Sequence, residues 1–396
     1  MNVQRQQYLT WLAEMKDDPS VKLIHGARGT GKTTLLKENF YYYLISAGVR
    51  SDSFIYIDTE ALTEYRSMTE QELFDYIDSR IKFNIKYRIV MDEPQCVPGY
   101  LNVINHFKEN HDIYVVTSSE LLTEEDIPGL KSIQMLPLSI SEFAACHKSD
   151  ERKSILPFIT YGGFPSLLFI DNEQVKSEKL LTLQDSILKK DVYNKVSIRN
   201  KKLFKATLRH LISIRGEYVS SYGISEYLRA KGFDTVTDDT ITTYLDHICK
   251  AHYLQKINRF DLKQDAVLKT KNKYYLTDPG LGFKRNIKVD TMKAYENIIC
   301  MELIRLGFNV YVGKNGTKEV SFVAMNDHDR FYIQVSNPII NKSAEKKAVD
   351  SFRGLDDGYK KIVVTIDDSE SGRLQYGYQH INIWEFLANS YMLLNA

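Results

Sequence analysis

Cysteine is scarce in this chain of 396 residues: four, scattered as Cys96, Cys146, Cys249 and Cys300, with no Cys-x-x-Cys pair. That excludes a disulfide scaffold and predicts reduced thiols. Long hydrophobic runs are missing too. None approaches the roughly 20 residues that a membrane-crossing helix needs, so no membrane attachment is expected. The opening stretch MNVQRQQYLTWLAEMKDD lacks the continuous apolar core of a secretory leader, which predicts a cytoplasmic protein. Net charge is nearly absent, at +1. What is present is ordinary: 43% apolar and 26% charged residues, and a length that suits two or three domains at about 150 residues each.

The near-zero charge conceals an asymmetry. Residues 1–150 sum to −7 and residues 199–290 to +8. A basic middle suits contact with nucleic acid, or docking on the acidic N-terminal part.

One motif dominates. The apolar run Val21-Lys22-Leu23-Ile24-His25 leads directly into Gly26-Ala27-Arg28-Gly29-Thr30-Gly31-Lys32-Thr33, then Thr34-Leu35-Leu36-Lys37. This is GxxxxGK[ST] between a predicted strand and a predicted helix. Glycines let the backbone curl so that successive N–H groups face phosphates, and the helix N-terminus adds partial positive charge. Lys32 is placed for the β- and γ-phosphates of ATP, and Thr33 offers a hydroxyl to Mg²⁺.

A second carboxylate site is expected, and Tyr87-Arg88-Ile89-Val90-Met91-Asp92-Glu93 supplies it. Strand ends of a parallel sheet face the ligand crevice, so Asp92 would emerge beside the phosphates and hold magnesium. Glu93 would orient and deprotonate water. The next strand, His111–Thr117, ends in Thr117, Ser118 and Ser119, hydroxyls suited to sensing the γ-phosphate, with Ser118 the catalytic candidate. With Ser53–Asp58 as one more strand and Glu70–Lys82 at helical spacing, residues 20–140 alternate as a doubly wound α/β domain does.

HGARGTGKTTLL, VMDEPQ, VVTSSE, LPLSISEF and YGGFP, in that order after an N-terminal helix, resemble a family of prokaryotic AAA-type P-loop ATPases with a conserved C-terminal domain of unknown function. The likeness continues through Lys273–Leu281 and Ala294–Asn297 and covers essentially the whole chain. It implies ATP binding by Gly26–Thr34, including Arg28, magnesium and hydrolytic roles for Asp92 and Glu93, and a sensor in Thr117–Ser119. One departure matters. Where relatives carry Gly-Arg before the Pro-Leu-Ser segment, this chain has Gly129-Leu130-Lys131, so an arginine finger from that position is missing. AAA-type ATPases commonly work as oligomers, which makes a homo-oligomer one expectation.

The rest of the chain reads as three further pieces after an ATPase core of residues 1–136. Residues 137–198 look like a helical lid broken at Gly162-Gly163-Phe164-Pro165. Residues 199–287 show helix, helix, helix, hairpin, a winged-helix-like order whose basic residues (Lys256, Arg259, Lys263, Lys269, Lys271, Lys273) cluster on the hairpin. DNA is one expected partner there, and an unidentified protein another. The third helix opens with Asp238 and Asp239, which repel phosphates. Residues 288–396 resemble a restriction-endonuclease-like α/β core. Its metal site would need a helix acid, a strand aspartate and an acid-x-Lys; this chain offers Glu296, then Ser321, then Gln334-Val335-Ser336. Three of the four groups are absent, so nuclease chemistry is not expected unless Glu319, on the same strand face, compensates. The leading expectation is a Mg²⁺-dependent ATPase that relays hydrolysis to its other parts. The alternative is a weakly hydrolysing nucleotide-gated switch that binds protein or DNA. His247 and His252, five apart, do not make a zinc pair, and the abundant tyrosines read as half-buried packing.

Overall fold

The computed structural model describes all residues except 1, 2, 4, 65, 120, 121, 194–197, 199, 284–289 and 396. Glu120 of the VVTSSE segment, Arg199 and the expected boundary at 287–288 therefore lie outside the described residues. The chain divides into two compact units. The first comprises Met1–Pro137, Ile187–Val192 and Lys250–His252, and the second Leu138–Ser186, Tyr193–Cys249 and Tyr253–Ala396.

The first unit is built on a five-stranded parallel sheet. Its strands are β1 (Lys22–His25), β2 (Phe54–Asp58), β3 (Arg88–Asp92), β4 (Asp112–Thr117) and β5 (Lys131–Gln134), in the order β2-β3-β4-β1-β5. The continuous apolar runs are what a sheet covered on both faces requires. Alternation then sorts them by face. Leu23, Ile89, Met91, Ile113 and Val115 pack with Leu73, Ile77, Val103 and Phe107, while Ile24, Val90, Tyr114 and Val116 pack with Tyr8, Leu12, Leu36, Phe40 and Leu44. The α/β expectation holds, with one strand more than the sequence had shown. β5 is Lys-Ser-Ile-Gln, too polar to register as apolar, and it pairs with β1 at the sheet edge.

The described residues of 138–186 are helical (Ile140–Cys146, Glu151–Tyr161 and most of Glu173–Ile187), with the break at Gly162–Pro165. Two segments of the family resemblance, YGGFP and TDPGL, meet within this second unit. Asp278 accepts from the Gly163 N–H at 2.7 Å and the Gly280 N–H at 2.8 Å. A Cβ on Gly162 would lie 1.7 Å from Asp278 Oδ1, and its φ of +79° is strained for other residues, so the motif needs glycine there.

Helices Lys201–Ser213, Ser221–Arg229 and Asp238–Lys250 follow, then strands β7 (Leu254–Asp261) and β8 (Ala266–Leu276), with β6 (Tyr218–Val219) pairing β8. Helix, helix, helix, hairpin is the observed order, but the hairpin is longer than expected and does not end its sheet. β7 runs parallel to β9 (Asn309–Asn315) from Arg259–Val312 to Asp261–Lys314. Strands β10 (Lys318–Met325), β11 (Arg330–Ser336), β12 (Lys360–Thr365), β13 (Gly372–Arg373) and β14 (Gln379–Asn382) complete nine, in the order β13-β14-β12-β11-β10-β9-β7-β8-β6. The hairpin of the basic region and the C-terminal strands thus share one sheet. No described helix is long and apolar enough to cross a membrane.

Candidate nucleotide-binding site

Parallel strands deliver the chemistry to one edge. β1, β3 and β4 end at His25, Asp92 and Thr117, and register places His25 beside Thr117. This is the crevice side of an open parallel sheet. The loop Gly26–Thr33 leaves β1 there. Gly26 has φ +150°, and a Cβ on it would sit 2.2 Å from the Met135 carbonyl oxygen, so nothing larger fits. A clamp that the sequence did not disclose holds the loop from the N-terminal segment. The buried Arg5 guanidinium donates to Thr30 O at 3.0 Å and Leu136 O at 2.7 Å.

Lys32 is 4% exposed and donates Nζ to Gly26 O at 2.7 Å and Ala27 O at 2.9 Å. Burial pushes its ammonium pKa down, and the Glu93 and Asp92 carboxylates oppose that shift. Thr33 Oγ1 and the Tyr56 hydroxyl both donate to Asp92 Oδ2 at 2.6 Å. Burial raises the Asp92 pKa, and those two hydrogen bonds hold it back. Glu93 lies in left-handed backbone, φ +53° and ψ +46°. Its N–H donates to Val116 O at 2.8 Å. Its carboxylate accepts from Gln95 Nε2 at 2.5 Å, from the Ser118 N–H at 3.2 Å and from the Ser118 hydroxyl. Such a conformation in a non-glycine residue is paid for by its surroundings. The Thr59 hydroxyl, between the Asp92 and Glu93 carbonyls at 2.6 and 2.5 Å, is part of that support.

The structure therefore gathers Gly26–Thr34, Asp92, Glu93 and Thr117–Ser119 at one edge. Among the described residues, two buried hydroxyls in it, Thr30 Oγ1 and Ser119 Oγ, have no hydrogen-bond partner. Oriented N–H groups, a buried ammonium, a hydroxyl–carboxylate pair and two unsatisfied hydroxyls fit a nucleotide phosphate with a hard cation. Among the described residues no three His, Cys, Asp or Glu side chains form a metal-binding group, so Thr33 and Asp92 would need phosphate and water to complete a magnesium shell. Lys131 is not in this edge: it pairs with Lys22, at the other end of β1.

Residues 18–144 match a family model described as an AAA domain. Residues 152–289 match one described as a domain of unknown function (DUF8612), so that label falls on the middle of the chain and ends at residue 289. The chain is 29% identical over 379 residues to an uncharacterized protein of Haemophilus influenzae, spanning 92% of this chain and 93% of that one. It is 27% identical over 389 residues to an uncharacterized protein of Methanocaldococcus jannaschii, spanning 88% and 85%. The solved Aeropyrum pernix ORC1 protein in complex with DNA aligns over 77% of this chain and 94% of its own, at 15% identity and a TM-score of 0.33.

Four partners around the glycine loop and the end of β1, Asp191, Glu60, Lys190 and His252, were not legible beforehand. Arg28 donates Nε and Nη2 to Asp191 at 2.9 and 2.7 Å, and Nη1 to Glu60 at 2.7 Å. Lys190 adds a 2.8 Å ion pair to Glu60. His25 Nδ1 lies 3.4 Å from His252 Nε2, and burial, reinforced by Lys32, pushes the His25 pKa down to about 4. Asp191 and His252 are distant in sequence and carry no motif.

The degenerate nuclease-like site reads differently. Ser321 Oγ accepts from Val335 N at 3.1 Å and from Gln334 Nε2 at 3.0 Å, which knits the two acid-less positions together. Glu296 and Glu319 do approach each other, through Lys273 of β8. Lys273 Nζ is 2.6 Å from Glu319 and 3.8 Å from Glu296, and Tyr275 donates to Glu296 at 2.7 Å.

Proposed function

We propose that this protein is a Mg²⁺-dependent ATP hydrolase whose cycle drives a conformational change relayed to residues 137–396. The observation that carries the reading is the Thr33–Asp92 hydrogen bond at the mouth of the glycine loop, with Lys32 buried beside it and Glu93 one residue on. Loop N–H groups and Lys32 bind the phosphates, and Thr33 and Asp92 hold the cation. Bound magnesium supplies charge neutralisation at the phosphate oxygens. Glu93 orients the attacking water and accepts its proton, and Ser118 fixes the carboxylate that does so. A cytoplasmic location and self-association belong to the same proposal.

The same proposal divides the rest into a lid at 137–198, a winged-helix-like part at 199–287 and a degenerate nuclease-like part at 288–396, the hairpin of the second sharing its sheet with the strands of the third. Exposed Lys256, Lys263, Lys269 and Lys271 make the hairpin the face for duplex DNA, whereas Lys273 is buried in ion pairs. Two observations favour the second reading, a weakly hydrolysing nucleotide-gated switch: Lys131 is remote from the loop, and Arg28 is already bound by carboxylates. Steady-state phosphate release by wild type and Glu93→Gln, at several protein concentrations and with or without duplex DNA, decides. Turnover that vanishes in the variant establishes the hydrolase. Tight ATP binding with no turnover establishes the switch.

A further inference from the structure

Arg28 lies inside the glycine loop, two residues after Gly26, so its guanidinium starts from the segment that cradles phosphate. Three of its N–H groups are committed to carboxylates. Asp191 takes two in the parallel fork that arginine also offers to phosphate, and Glu60 takes the third. Asp191 is the more telling partner. Its side chain is fully buried, and both of its oxygens are filled by Arg28. Burial raises the Asp191 pKa and the guanidinium pulls it back, while Glu93 and Lys32 are near enough to act on the same carboxyl. The pair therefore stands in the electrostatic field of the hydrolytic site itself.

Asp191 belongs to a short π-helix, Leu188–Tyr193, that continues the helix Glu173–Ile187. Single π turns are uncommon and concentrate at functional positions, because the wider winding is less favourable than the α form. Here it turns Leu188, Asp191 and Val192 inward and leaves Lys190 to pair with Glu60. Residues 187–192 cluster with the first unit, yet the chain on either side of them, 138–186 and 193–249, belongs to the second.

We infer that residues 187–192 are a latch on the nucleotide loop, closed by the Arg28–Asp191 pair and released when nucleotide phosphates take Arg28 from Asp191. The inference rests on the ATP-site reading and adds its regulation. Phosphate and Asp191 compete for one fork of N–H donors. A fully buried carboxylate that loses the cation paired to both of its oxygens is strongly destabilised, so Asp191 must leave its seat or take up a proton. Nucleotide binding and docking of the segment oppose one another, and by linkage the opposition is equal in both directions. Glu60, outside the latch and partly exposed, keeps its ion pair with Arg28 after release, whereas the Lys190–Glu60 pair goes with the segment.

The test is hydrogen exchange of the amides of residues 187–193 in the full chain, with and without Mg²⁺ and a non-hydrolysable ATP analogue. Equilibrium binding of the analogue to wild type and Asp191→Asn accompanies it. The latch requires exchange at 187–193 to rise at least about fivefold with the analogue, the low end for coupled sites. It also requires Asp191→Asn to bind the analogue tighter by a similar factor, and to show the faster exchange without it. Analogue that binds while exchange stays unchanged or slows overturns the latch alone, as does weaker binding by Asp191→Asn, the result expected if Asp191 merely aligns Arg28. Absence of any nucleotide binding in wild type overturns the ATP-site reading and the latch with it. The wild-type exchange experiment stands by itself should the variant not fold.

Discussion

Ser118 gives both its backbone N–H and its hydroxyl to one carboxylate, that of Glu93. A hydrogen bond to a charged group contributes about 1.5–3 kcal/mol. Losing the hydroxyl while keeping the N–H and Gln95 should cost orientation more than binding. Ser118→Ala is expected to lower kcat by about tenfold, with ATP affinity unchanged within about twofold. Glu93→Gln should lose about 10²–10⁴-fold in turnover and still bind ATP. Phosphate release and equilibrium binding on the three proteins check both. Equal kcat in wild type and Ser118→Ala would remove Ser118 from the mechanism.

Lys32 separates function from stability. Burial depresses its pKa, so its charged form costs folding energy that ATP binding later uses. Lys32→Met is expected to weaken ATP binding at least about tenfold, which is about 1.4 kcal/mol, while the apo protein melts at the same temperature or higher. The sign extends to pH. Below 10.5 the unfolded chain holds this proton more firmly than the folded one, so apo wild type gains stability from this group as pH rises towards 10.5, and Lys32→Met lacks that gain. Thermal melts across alkaline pH read the difference.

His25 supplies an acid-side counterpart. Its pKa falls from 6.5 to about 4 through burial and then Lys32. Between those values the unfolded chain binds the proton and the folded chain does not. The contribution is present above pH 6.5 and is lost as pH falls to about 4, by about 3 kcal/mol in all. Denaturant melts at pH 7 and pH 4.5 should show much of this loss in wild type and a smaller one in His25→Gln. An identical pH dependence in the two would remove His25 as the source.

Gly162 makes a sharper structural claim. With Asp278 Oδ1 1.7 Å from its would-be Cβ and φ at +79°, alanine there must break the contact between YGGFP and TDPGL. Gly162→Ala is expected to destabilise by roughly 3 kcal/mol, the upper end for ordinary substitutions. Gly48→Ala is its control, since that glycine also has positive φ but meets nothing within 4 Å. Comparable losses in both would mean that backbone strain alone, and not Asp278, is responsible.

What was legible and what was not divides along physical lines. Gly26–Thr33 and Asp92-Glu93 were readable because each encodes its own local geometry: a strand, a turn that only glycine permits, and acids at a strand end. The strands β1, β3 and β4 followed from their apolar runs, while the face each side chain takes came from the packing. β5 was not, since Lys-Ser-Ile-Gln becomes a strand only by pairing with β1. Arg5, Asp191 and His252 escaped for a similar reason. Each meets the loop through the tertiary fold, from 25, 163 and 227 residues away in the bonds it makes, and none has a neighbour in sequence that announces it. The longer sheet was hidden likewise. The parallel β7–β9 contact joins the first strand of the expected hairpin to the first strand of the expected C-terminal part, which were read as separate pieces.

Lys273 is where the hidden pairing bears on chemistry. The nuclease-like reading lacked acids at Ser321 and Gln334, and left Glu319 as the one residue able to compensate. Glu319 does approach Glu296, but Lys273, with only 7% of its side chain exposed, lies between them and within ion-pair distance of both. An ammonium there supplies one positive charge where a divalent cation would supply two, and it cannot leave without exposing two carboxylates to one another. The arrangement predicts an ion-pair network that braces β8 against β10 and the helix Thr291–Arg305. Lys273→Met should destabilise the protein by about 1.5–3 kcal/mol, the range for hydrogen bonds to charged groups, because both carboxylates it leaves are partly exposed, and Glu319→Gln by less, because that carboxylate is about one-third exposed. Plasmid DNA at high protein concentration should survive Mg²⁺ and Mn²⁺ in wild type. Nicking by wild type that Glu296→Gln and Glu319→Gln each abolish would instead make this cluster a metal site with Lys273 as its water-activating group.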